Sequence, residues 1–138
     1  MPIRLDVTDS ASIAAASHTV AAMVGDRGLA GLVNNAGGSR SFKDLHVSEE
    51  QWQEAITLNF HRPRQLGDAL IDQMIARQWG RIINITGKSE PEHINGAFCA
   101  KAGMHSWAKG LSRMVGKHGI TVNCIPPGRI HSEQIFRN

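Results

Sequence analysis

LAGLVNNAG, residues 29–37, is a short apolar run that closes on two amides and two small residues. An apolar stretch of this length, bounded by glycines and without alternation, reads as a strand of a parallel sheet buried on both faces. We place that strand over residues 29–34. The turn that follows, Asn34 to Gly37, then falls at a strand's carboxyl end, where open α/β sheets bind their ligands.

The pattern on either side supports the same architecture. Upstream, Pro2 to Val7 reads as a short strand, and Thr8, Asp9 and Ser10 offer side chains that cap a helix. Ile13, Ser17, Val20 and Val24 recur at helical spacing on one face, and Gly25 and Gly28 end the helix. Downstream, Gly37 to Lys43 is loop, and Ser48 with Gln51 forms a capping box that opens a helix at about Glu49. That helix runs to about Gln78 with a bend near Pro63, and Gly80 breaks it. Arg81 to Thr86 is the next strand, and Gly87 to His93 is a polar loop. A helix over roughly Asn95 to Lys117 carries Ala97, Lys101, Met104, Ala108, Leu111 and Val115 on one stripe. Gly96, Gly103 and Gly110 flatten a neighbouring face, a pattern that predicts close helix packing. Ile120 to Ile125 is the last strand, stopped by Pro126 and Pro127. Strands alternating with helices predict a parallel α/β sheet.

Composition narrows the function classes. The chain has 138 residues and a net charge of +3, with fifteen Lys and Arg spread singly along its length. It has no Tyr and only four Phe and three Trp, so stacking surfaces are scarce and no nucleic-acid role is expected. No apolar run is long enough to span a membrane, and the first residues do not read as a secretory signal. Two cysteines suit neither a disulfide scaffold nor a metal site, and the seven histidines form no i, i+4 pair or HExxH pattern. We expect no metal, and a cytoplasmic location.

Six phrases in order carry more than periodicity does: LDVTD at 5–9, NNAG at 34–37, Asn59 in the following helix, GRIINIT at 80–86, AKAG at 100–103 and GITVNCIPPGRI at 119–130. In this order and spacing the chain resembles short-chain dehydrogenases/reductases of the 3-oxoacyl-acyl-carrier-protein reductase type. The resemblance covers nearly the whole chain. It implies one partial Rossmann-type domain over residues 1–138, a doubly wound parallel sheet lacking its first two strands and its C-terminal strand. It implies NAD or NADP as cofactor and hydride transfer to or from a small-molecule carbonyl or alcohol. It also implies a homo-oligomer formed through the helices at 49–78 and 95–117.

Roles follow residue by residue from the resemblance. Asp6 matches an aspartate that binds the adenine amino group. Asn34, Ala36 and Gly37 match the cofactor-side turn, whose asparagines also tie neighbouring strands. Asn59 matches the asparagine that helps position a water for proton relay. Pro127 and Gly128 match the segment that meets the nicotinamide amide. Lys101 matches the lysine that binds the nicotinamide ribose and lowers the pKa of a catalytic tyrosine, as a neighbouring cation does for a phenol.

Two elements of the pattern fail. Ala97 stands where the family has its tyrosine, with Phe98 one residue on, and Gly87 stands where it has its serine, with Thr86 the nearest hydroxyl. His93 and Ser89, in the loop between, are the residues that offer substitute acid–base and hydroxyl groups. The only dense glycine pattern, Gly25, Gly28 and Gly31, lies between a helix and a strand, the wrong context for a phosphate-binding turn. We therefore expect impaired cofactor binding and chemistry. The strand at 2–7 has no assured partner and is expected to lie loosely or to enter the edge beside 29–34. A catalytically silent remnant, or a pseudoenzyme acting in assembly through the 95–117 helix, is the rival reading.

Overall fold

The structure, a computed structural model, describes residues 1–87 and 90–128. Three strands form one parallel sheet in the order β1 (Gly31–Asn34), β2 (Gly80–Ile85), β3 (Ile120–Ile125). Gly31 faces Arg81 and Asn34 faces Asn84 across the first ladder, while Gly80 faces Ile120 and Ile85 faces Ile125 across the second. The three strands expected to be adjacent are adjacent. β2 is the centre, its backbone hydrogen-bonded to β1 on one side and β3 on the other.

The helices are α1 (Ser10–Val24), α2 (Glu49–Ile56), α3 (Arg62–Ala76) and α4 (Gly96–Val115). Asp9 caps α1 by accepting from the backbone N–H groups of Ala11 and Ser12. Ser48 and Gln51 close the expected capping box on α2. Asn95 caps α4 through the N–H of Phe98. Met74 of α3 and Ala108 and Val115 of α4 bury against Ile82 of β2 and Ile120 and Val122 of β3, and this cluster is the core.

Four expectations are corrected. Residues 2–7 form no strand. A strand is held by a neighbour's backbone, and these residues spend their polar groups locally instead: Asp6 N–H donates to Ser12 Oγ, and Asp6 C=O accepts from Asp9 N–H. Ile3, Leu5 and Val7 face β1 and α3 across an apolar groove of about 260 Å³. The run at 29–34 shortens to β1 and is not buried on both faces, with Val33 59% exposed, because β1 is an edge strand.

The long helix over 49–78 is two helices joined by a π-helical turn, Thr57–His61, in which Arg62 N–H donates to Thr57 C=O. Pro63 has no N–H to give the Asn59 carbonyl, so an unbroken α-helical ladder cannot pass this point. Finally, close packing explains only one glycine of the predicted row. A Cβ at Gly96 would fall 2.5 Å from Ala55 Cβ, whereas one at Gly103 would make ordinary contact with Phe60 and one at Gly110 would meet open space.

Candidate active site

The carboxyl ends of the strands and the start of α4 gather most of the residues singled out above. β2 alternates, placing Ile82, Asn84 and Thr86 in the buried set. Asn34 Nδ2 donates to Asn84 Oδ1 at 2.9 Å, so the first asparagine of the turn ties β1 to β2 as expected. The chain then turns through Ala36 and Gly37 toward the π-helical turn.

That turn presents Asn59, 2% exposed, beneath the loop. Its Oδ1 accepts from Gly38 N–H at 3.1 Å, and its Nδ2 donates to the carbonyls of Gly38 and Ala55 at 3.1 and 3.0 Å. An amide with both donors and its oxygen engaged inside the fold is held rigidly. A Cβ at Gly37 would stand 2.9 Å from Asn59 Oδ1 and 3.6 Å from Lys101 Nζ. Gly37 therefore leaves open a small space bordered by an amide and an ammonium.

Lys101 projects from the first half of α4, half-buried, and its Nζ donates to Thr86 C=O at 3.4 Å. Burial penalises its charged form and draws its pKa below the usual lysine range. Below the folded pKa both folded and unfolded chains hold the proton, and the penalty is complete. From there up to the free-lysine value the folded chain is the first to lose it, so the penalty fades as pH rises. Lys101→Met is accordingly expected to melt at a higher temperature than the parent near neutral pH, the gain shrinking toward about pH 10. Thermal melts at the two pH values check this; a lower melting temperature at neutral pH would show that the bond to Thr86 outweighs desolvation.

Beside these residues lies a cleft of about 390 Å³, lined by Thr86, Gly87, His93, Phe98, Pro127 and Gly128 among others. Of the residues expected to act, it brings together Gly87, His93, Pro127 and Gly128. Ser89 lies outside the described residues. Asp6 sits in the helix-entry turn, its carboxylate accepting from the N–H and hydroxyl of Thr8, and these bonds lower its pKa. Asn34 and Ala36 line the apolar groove rather than the cleft.

Ala97 is 2% exposed and does not line the cleft; Phe98 does. A Cβ at Gly87 would lie 3.3 Å from the Phe98 ring, so that ring fills the space a side chain at position 87 would enter. The sequence does not single out His105 either. Its Nε2 lies 3.0 Å from Thr86 Oγ1, and the signal available was its spacing of four from Lys101.

The cradle at Gly37 is bordered by Asn59 Oδ1, an acceptor, and Lys101 Nζ, a donor, and Pro127 and Gly128 line the adjoining cleft. Gly25 and Gly28 belong to the turn between α1 and β1, at the opposite end of β1 from this cleft. Among the described residues no three His, Cys, Asp or Glu side chains converge on a metal site, and no helix is long and apolar enough to cross a membrane.

Comparison with known proteins agrees with this fold. The family model for short chain dehydrogenase matches residues 1–136. The 3-oxoacyl-[acyl-carrier-protein] reductase FabG of Escherichia coli K12 is 35% identical over 135 residues, which cover 95% of this chain and 54% of that protein. Nodulation protein G of Rhizobium meliloti is 38% identical over 106 residues, 73% of this chain and 42% of its own length. A crystal structure of a short-chain dehydrogenase from Streptomyces avermitilis superposes with a TM-score of 0.86 at 28% identity, covering 95% of this chain and 49% of that one. The chain thus spans about half the length of the curated relatives it matches.

Proposed function

The chain belongs to the short chain dehydrogenase family, and from that premise we propose that it forms the nicotinamide-facing part of an NAD- or NADP-dependent oxidoreductase acting on a small carbonyl or alcohol. The observation that carries the proposal is the convergence of Gly37, Asn59 and Lys101 beside the cleft. A bound nicotinamide would supply the hydride. The chain's own residues do the rest. Lys101 donates to the ribose hydroxyls, and Asn59 holds the Gly38 loop so that the cradle keeps its shape. Phe98, Gly87 and Pro127 border the space where a substrate carbonyl would lie.

The relatives' names direct the choice of substrate, and a 3-oxoacyl thioester is the first to try. We further infer, from the resemblance, assembly of two copies through the helices at 49–78 and 95–117. Free Cys99 and Cys124 suit a reducing, cytoplasmic setting.

Calorimetry with NADH and NADPH tests the reading. The chain of 138 residues is expected to bind either cofactor at least about tenfold more weakly than a form extended upstream of Met1 by a strand, a glycine-rich turn and a helix. The reason is that a helix N-terminus with free backbone N–H groups is what holds a pyrophosphate. Micromolar binding by the 138-residue chain would show that the nicotinamide end suffices. No binding by either form would favour a silent remnant.

A further inference from the structure

Thr86 stands at a junction. Its N–H donates to Ile125 C=O at 2.9 Å, which fixes the backbone at the top of the sheet. Its carbonyl accepts from Lys101 Nζ, and its hydroxyl lies 3.0 Å from His105 Nε2. The side chain is 3% exposed, yet the residue lines the cleft next to Gly87. His105, by contrast, is exposed. Lys101 and His105 lie one helical turn apart on α4, so both reach Thr86, the residue that follows β2. Thr86, a residue that lines the cleft, is thereby joined through its hydroxyl to an imidazole in contact with solvent.

We propose that Thr86 and His105 form a proton relay from the cleft to solvent, with Thr86 as the group that addresses the substrate oxygen and His105 as its positioning and recharging partner. The inference rests on the oxidoreductase reading above and extends it to residues that reading does not use. Reduction of a carbonyl takes up two electrons as hydride, supplied by a reduced nicotinamide, and one proton at oxygen. The Thr86 Oγ–H bond breaks as the substrate O–H bond forms. Oγ regains a proton from His105 Nε2–H as Nδ1 takes one from solvent water, whose hydroxide diffuses away, and exchange with solvent returns the ring to its Nε2–H form. Alcohol oxidation runs the same transfers in reverse. Threonine alone is a poor acid, whereas imidazole is the side chain whose ordinary protonation range lies near neutral pH, so the pair does what neither does singly. Lys101 is the cation next to the pair, and its bond to the Thr86 carbonyl keeps the hydroxyl's backbone in place.

Three measurements on the 138-residue chain and its upstream-extended form test the relay. His105→Gln keeps an N–H donor for Thr86 and cannot pass protons. It is expected to lower turnover of a 3-oxoacyl thioester with NADPH about 100-fold, with KM and cofactor affinity unchanged, and added imidazole should restore part of the loss. Thr86→Val should lose as much and gain nothing from imidazole. In nitrogen-15 NMR of the cofactor-free chain at one pH, Thr86→Val should move the His105 Nε2 resonance. Unchanged turnover in His105→Gln, a loss that imidazole does not touch, or an unmoved Nε2 resonance would each overturn the relay. Cofactor binding without turnover in the unmutated protein overturns the relay and leaves the oxidoreductase reading standing. Absence of cofactor binding in the extended form overturns both.

Discussion

Amides of β2, with those of β1 and β3 that donate to it, are expected to exchange with solvent at least about a thousandfold more slowly than the amides of residues 2–7. Protection follows from what must open to expose a given N–H. The β2 amides open only when both ladders and the Met74–Ile82–Val115 core come apart, which is close to global unfolding. Residues 2–7 have no ladder. Their recorded bonds, Asp6 N–H to Ser12 Oγ and Thr8 N–H to Asp6 Oδ1, are exposed and close over a few residues. α1 should fall between. It is a capped helix, but its buried face is small, with Ile13, Ala16 and Ser17 against the groove and α3. One long-range bond, from Arg62 to Thr8 C=O at 3.0 Å, ties its entry to the rest of the fold. Hydrogen exchange followed by mass spectrometry or NMR resolves the three classes. Protection of 2–7 equal to that of β2 would mean that this segment has found a strand partner, either in the edge beside β1 or in another copy of the chain.

The second large effect is a gain. Phe98→Tyr is expected to raise carbonyl reduction by about 100-fold in a form that binds the cofactor. The Phe98 ring already stands in the cleft against Gly87, and Lys101 lies three residues on, along the same helix. A hydroxyl added to that ring places a phenol in the substrate space within the field of a nearby ammonium, which favours its ionised form. Ala97→Tyr, the substitution that counting four residues back from Lys101 suggests, should do the opposite. Ala97 is 2% exposed, and a phenol there has to displace packed neighbours, an overpacking that costs stability. Restoring a serine at position 87 is also constrained, because its Cβ comes within 3.3 Å of the Phe98 ring, which must give way. The comparison of Phe98→Tyr with Ala97→Tyr, by steady-state reduction and thermal melting, decides between the two registers. Higher activity from Ala97→Tyr, or none from Phe98→Tyr with the cofactor bound, would show that α4 presents a different face to the substrate.

The sequence by itself determined the elements that local chemistry controls. The apolar runs read as strands at 29–34, 81–86 and 120–125 are β1, β2 and β3 with ends shifted by at most two residues, and their order with the helices between them points to a parallel sheet. The caps Asp9, Ser48 with Gln51, and Asn95 satisfy backbone donors within three residues, so the starts of α1, α2 and α4 are legible in the chain. The phrases NNAG and AKAG mark Asn34, Gly37 and Lys101 through the resemblance they carry, and the close approach of Gly37 to Asn59 and Lys101 is the physical reason for the glycine.

Tertiary structure alone decided what depends on partners distant in sequence. Pro2 to Val7 has a strand's alternation, but a strand exists only when another backbone accepts its hydrogen bonds, and no described strand does so here. Pro63 announces a bend, yet whether the ladder kinks or slips into a π turn rests on how Asn59 bonds to Gly38 across the loop. Counting along α4 puts Ala97 and Lys101 on one face. It is the angle at which that helix meets β2 that sends Phe98 into the cleft, buries Ala97 and brings His105 to Thr86. A helix's rotation about its axis is set by packing against the whole sheet, and no short window of residues contains that information.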